Sequence, residues 1–102
     1  MIHNKLVRDR IPAIIKEKGG TCQTRILSDD EYKNALDTKL GEELAEYLAS
    51  HDAEELADLL EVIYACAALQ NLSPADLERI RAEKAAKRGG FKDKILLIKS
   101  EN

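Results

Sequence analysis

The sequence predicts a mainly α-helical chain: four helices, with a small two-stranded sheet formed by residues near 21–27 and 94–99. Three observations carry that expectation. Ser28-Asp29-Asp30-Glu31 and Ser73-Pro74-Ala75-Asp76 are helix-opening signatures, a capping serine followed by an acid or by proline at the first helical position. Between and after them, apolar residues recur with the period of an α-helix. Two short runs near the ends, TCQTRIL and KILLIK, each lie beyond a Gly-Gly pair and read as strands.

The elements follow in order. Pro12 suits the first turn of a short helix capped by Asp9, with Ile11, Ile14 and Ile15 on one face and Gly19-Gly20 as its stop. Thr21–Leu27 is the first expected strand. Ser28 opens a second helix running to about Ala49, with one apolar stripe of Tyr32, Leu36, Leu40, Leu44 and Tyr47/Leu48. Gly41 inside it costs about 1 kcal/mol relative to alanine, which suggests close packing or close approach to a ligand. Ser50-His51-Asp52 makes a tight turn, and Ser50 or Asp52 caps a third helix reaching about Asn71. Leu56, Leu59, Leu60, Val62, Ile63, Ala65, Ala67 and Leu69 cover most of that helix's circumference. A helix apolar on all sides is buried on all sides, and a small chain buries only a limited core alone. The third helix is therefore expected at a subunit interface, in a homodimer or tetramer. Ser73 opens a fourth helix that turns basic toward Gly89-Gly90, and Lys94–Lys99 is the second expected strand.

Composition narrows the possibilities. The chain of 102 residues reads as a single domain, 1–102, with an aliphatic core, since only 4% of residues are aromatic. A net charge of −3 argues against a nucleic-acid polymer as partner. Cys22 and Cys66 fit no metal spacing and are expected as reduced thiols. No apolar run is long enough for a membrane span, and MIHNKLVRDR lacks a signal-peptide core, so a cytoplasmic protein is expected.

The charge distribution says more than its sum. Gly41–Glu61 holds Glu42, Glu43, Glu46, Asp52, Glu54, Glu55, Asp58 and Glu61, and no Lys or Arg occurs from Leu40 to Glu78. Glu42, Glu43 and Glu46 fall within a sector of about 100° on the second helix. Glu55 and Asp58 lie on one side of the third helix, and Glu55 shares its side with Leu59 and Val62. Two antiparallel helices joined by a short turn bring Glu43 and Glu46 opposite Glu55 and Asp58. The acids lack basic partners at helical spacing, and carboxylates bordering a core are costly unless paired or metal-bound. All-oxygen donors select hard cations, Mg²⁺ first and Mn²⁺ as an alternative, and Mg²⁺ is commonly shared with substrate phosphates. The competing reading is a solvated acidic surface that docks a basic partner, a non-catalytic helical interaction module. His3 and His51 are each isolated and read as solvated side chains.

Glu42-Glu43-x-x-Glu46 followed by Glu55-x-x-Asp58 resembles the EExxE…ExxD signature of the MazG-like, all-α nucleoside triphosphate pyrophosphohydrolases. Lys5-Leu-Val-Arg8-Asp9-Arg10-Ile-Pro12 and Lys87-Arg88-Gly89-Gly90-Phe91 look like a compact subgroup related to the phosphoribosyl-ATP pyrophosphohydrolases. The spacing between the two acid pairs is shorter than is typical of MazG itself. The resemblance implies a four- to five-helix MazG-like bundle that binds Mg²⁺ through Glu43, Glu46, Glu55 and Asp58. It implies Glu42, Glu43 and Glu46 as catalytic residues and hydrolysis of a nucleotide substrate to a nucleoside monophosphate and pyrophosphate, in a house-cleaning or regulatory role. Lys5, Arg8, Arg10, Lys84, Lys87 and Arg88 are then candidate phosphate contacts, and phosphoribosyl-ATP is the alternative substrate.

Overall fold

The computed structural model describes residues 4–101, and its regular structure is entirely helical. Helix α1 spans Ile11–Glu17, α2 Asp29–Ser50, α3 Ala53–Ala68 and α4 Pro74–Arg88. None of the described helices is long and apolar enough to cross a membrane.

Local chemistry sets most of the boundaries. At the start of α2, the Glu31 amide donates to Ser28 Oγ while the Ser28 amide donates to Glu31 Oε1, a reciprocal capping box. Ser73 and Asp76 repeat the arrangement at α4, where Pro74 also occupies the first turn. Helix α2 ends at His51, whose φ of 58° is left-handed, and its amide donates to the Tyr47 carbonyl. The chain re-enters a helix after Asp52, the residue that takes the cap position of α3. The Asp52 side chain makes no capping bond there; its amide donates to Ser50 Oγ instead. Helix α1 starts one residue later than the sequence suggests. Its cap is Arg10, which cannot accept from the helix amides as Asp9 would. At the end of α4, Gly89 has a φ of 81°, a conformation that β-carbon-bearing residues rarely adopt.

Helix α2 packs along α3 as an antiparallel hairpin, and α4 leans on α3. Helix α1 packs on no other helix. The apolar centre is small: Leu36, Val62 and Ala67 are the buried hydrophobic residues among those described. Cys22 is exposed, Cys66 is half-buried, and both are free thiols.

Three expectations need correction. Residues 21–27 and 94–99 form no sheet: neither has regular structure, and no strand occurs among the described residues. A strand exists through its ladder of hydrogen bonds, and these two segments make none with each other. Gly41 is not a close-packing position, because a β-carbon there would meet nothing within 4 Å. Helix α3 ends at Ala68, ahead of Asn71, whose φ of 60° is left-handed and belongs to the turn before α4.

Two predictions follow from the caps. Ser28→Ala removes an acceptor for an α2 amide and is expected to cost about 1 kcal/mol, seen as a melting-point drop of about 4–8 °C. Glu31 bridges that box and an ion pair with Arg25 at 2.9 Å, and its hydrogen bonds to Arg25 and Ser28 hold its carboxyl down at about 2 from an ordinary 4.5. A carboxyl lowered on folding stabilises above its unfolded value and loses that contribution as pH falls through its folded value. Glu31→Gln is therefore expected to lower the melting temperature at pH 7, with the difference closing between pH 4.5 and about 2.

Candidate metal centre

The two-residue turn between α2 and α3 fixes which residues face each other. Glu43 on α2 meets Glu55 and Asp58 on α3, and one carboxylate oxygen from each lies within 4.8 Å of the others. Glu43 is only 6% exposed, whereas Glu55 and Asp58 are half-buried. Glu43 Oε2 and Glu55 Oε2 are both buried and have no hydrogen-bond partner. Buried oxygens normally find one.

Electrostatics sharpens the picture. Burial pushes the Glu55 carboxyl above its ordinary value, and the carboxylates of Glu46, Asp58 and Glu43 push in the same direction. Glu46, itself exposed, thus joins the cluster through Glu55. Of the carboxylates named from the sequence, Glu43, Glu55 and Asp58 cluster across the hairpin, and Glu46 acts on Glu55.

Two cations border the acids. Arg8, in the segment before α1, places Nη2 at 2.6 Å from Asp58 Oδ1. Lys39, one turn before Glu43, lies 3.3 Å from Glu43 Oε1 and 3.6 Å from Glu42 Oε2. The sequence reading omitted Lys39 and held that the acids have no basic partner at helical spacing; Lys39 and Glu43 are such a pair. The signal was available at i,i+4, just outside the acidic run. Neither cation reaches the second oxygens of Glu43 and Glu55.

The other expected phosphate contacts divide between two places. Lys5 lines a small cleft of about 140 Å³ with Asn4, Lys39 and Glu42, beside the acids. Lys84, Lys87 and Arg88 line a separate, shallower cleft on α4 with Ile80 and Glu83. Arg10 is exposed at the start of α1. His51 stands edge-on to Tyr47 at a ring distance of 5.0 Å, and His3 lies outside the described residues.

Two residues with unpartnered buried oxygens, and a third acid with an oxygen within 4.8 Å of theirs, suit a hard cation in donor chemistry and in the negative charge left over. The pH dependence tests this. A carboxyl raised on folding contributes stability below its unfolded value, and that contribution is lost as pH rises through its folded value. In chelator, Glu55→Gln is therefore expected to melt above the wild type at pH 8, with the gap closing toward pH 4. Millimolar Mg²⁺ is expected to reverse the order at pH 8 by stabilising only the chain with the full donor set.

Comparison with known proteins adds little to the geometry. The chain is 59% identical over 46 residues to an uncharacterized protein of Mycolicibacterium smegmatis, a match covering 45% of this chain and 47% of the relative. The match thus spans about half the length of each. No family model matches the chain, and no solved structure matches it.

Proposed function

We propose that the chain is a Mg²⁺-dependent nucleoside triphosphate pyrophosphohydrolase of the MazG-like kind, acting in the cytoplasm as a homo-oligomer. The observation that carries this reading is the pair of buried, unpartnered oxygens of Glu43 and Glu55 beside Asp58. A surface acid turns its oxygens to water; these two are withheld from it.

Glu43, Glu46, Glu55 and Asp58 would hold the cation, with Mn²⁺ as a substitute. Once bound, such an ion neutralises phosphate charge and lowers the pKa of bound water. The chain's own residues do the rest. Lys39 restrains Glu42 and Glu43 at 3.6 and 3.3 Å and so fixes the α2 side of the cluster. Glu42 lines the cleft with Lys5 and Lys39, where a proton acceptor stands beside two ammonium groups. In this reading Lys5 and Lys39 receive phosphate oxygens there, and Glu42 accepts the proton of the attacking water. Arg8 pairs with Asp58 at 2.6 Å; were Asp58 to hold a cation, Arg8 would be free to pair with a substrate phosphate. Arginine suits that exchange, because its planar fork pairs equally with carboxylate and phosphate.

A second reading has its own support. The Arg8–Asp58 pair at 2.6 Å demonstrates that the acidic face accepts a guanidinium, as a docking surface for a basic partner would. The two readings differ in their response to ions. For the enzyme, millimolar Mg²⁺ or Mn²⁺ raises the melting temperature where NaCl of equal ionic strength does not. For the docking module, both salts act alike.

The decisive assay is pyrophosphate release from a panel of NTPs, dNTPs and phosphoribosyl-ATP with Mg²⁺ or Mn²⁺. Turnover is expected with at least one of them, falling about 100-fold or more in Glu46→Gln. No turnover on any substrate, joined to no divalent-specific thermal shift, would sink the enzyme reading.

A further inference from the structure

The acids occupy one face of the α2–α3 hairpin, and leucines occupy the opposite one. At about 100° per residue, Leu44 and Leu48 sit to one side of Glu43, whereas Glu42 and Glu46 sit to the other. Leu56 and Leu60 stand in the same relation to Glu55, and Asp58 lies on the other side. Because the helices run antiparallel, the same sense of rotation leads to the same face of the hairpin. All four leucines are 43–58% exposed. No described helix covers them.

A second uncovered apolar element follows α4. Ile95, Leu96, Leu97 and Ile98 are 76–90% exposed in a segment without regular structure, and Phe91 before them is almost wholly exposed. The chain as a whole carries the excess. Its accessible surface is 9331 Å², against about 5,800 Å² for a folded monomer of this mass. Its radius of gyration is 18.1 Å, against about 13 Å for a compact domain of this length. The surplus exceeds the roughly 800 Å² per partner that a stable interface buries.

We infer that the Lys94–Lys99 arm of one chain lies across the Leu44/Leu48/Leu56/Leu60 face of a second copy, and that the exchange is reciprocal. This deepens the homo-oligomer part of the proposed function and does not depend on the metal. Charge fits the pairing. The arm is bracketed by Lys94 and Lys99, whereas the hairpin bears no basic residue from Leu40 to Glu78. Helical periodicity places Asp30, Lys33 and Asp37 on the leucine side of α2, a net acidic set, and Asp52 stands at the turn. Asp37 and Asp52 are separated by roughly 20 Å along the hairpin, close to the roughly 17 Å that Lys94–Lys99 would span if laid out as a strand on the partner. The arm meets a second copy because, within its own chain, both the arm and the leucine face remain exposed. A two-fold dimer satisfies both at once, with each copy giving an arm and receiving one.

The test is sedimentation equilibrium on the full chain with two surface variants, Leu97→Asp in the arm and Leu48→Glu on the face. Both side chains are exposed in the single chain, so neither change removes core packing. The wild type is expected to be dimeric, each variant alone at least 10-fold weaker in self-association, and an equimolar mixture to form a heterodimer. The mixture recovers one contact, because the Leu48→Glu chain keeps an intact arm and the Leu97→Asp chain an intact face. Ile26→Glu, at an equally exposed isoleucine outside both elements, is expected to leave the dimer unchanged. A dimer weakened by Leu48→Glu and untouched by Leu97→Asp would overturn the arm exchange while leaving self-association standing. Variants that fail to complement each other would also overturn it. A monomeric wild type would overturn both.

Discussion

Burying one side of α2 against α3 draws carboxylates from both helices into a space that admits little water. Glu43 is the extreme case, almost wholly enclosed and with one oxygen unmatched. An isolated carboxylate in that position opposes folding by several kcal/mol. The hairpin tolerates it because opposite charge is supplied from two directions, Lys39 along the same helix and Arg8 from the segment ahead of α1. That supply is partial, and the remaining negative potential organises everything nearby. It adds to the effect of burial in raising the Glu55 carboxyl, and it pairs Asp58 with Arg8 from the start of the chain.

The helices were legible in the sequence because their determinants are local. Ser28 with Glu31 and Ser73 with Asp76 are complete signals within a four-residue window. The juxtaposition of Glu43 with Glu55 and Asp58 was legible for a related reason: a turn as short as His51-Asp52 leaves two helices one way to pack. The sheet was misread because β-branched content in TCQTRIL and KILLIK reports a wish to be covered, without naming what covers them. Pairing is a property of two segments in space, and neither segment encodes its partner. Arg8 illustrates a further limit. Its motif marked it as a group for anions, yet nothing in its neighbourhood along the chain points to Asp58, far away in sequence.

The molecule divides its labour between two faces of one hairpin. The acid face gathers Glu43, Glu55 and Asp58 within a single chain; the leucine face carries unspent apolar surface. Such a division permits either face to change without the other, since residues one or two apart on a helix point in different directions. Helix α4 is attached to this arrangement through α3 and brings its own basic cleft, Lys84, Lys87 and Arg88, away from the acids.

The left-handed His51 that ends α2 has a consequence for how the donor set changes over time. All four carboxylates lie between Glu43 and Asp58, on either side of that single residue, so their geometry is governed by the length of one connection. Adding or removing one residue there would turn α3 by about 100° about its axis. Glu55 and Asp58 would swing away from Glu43 together, and the leucines would turn with them. Length variation at this turn is thus an all-or-none change, whereas the irregular stretch between α1 and α2 carries none of the four carboxylates and can lengthen without turning them. Substitutions in the hairpin are graded in effect; insertions at its tip are not.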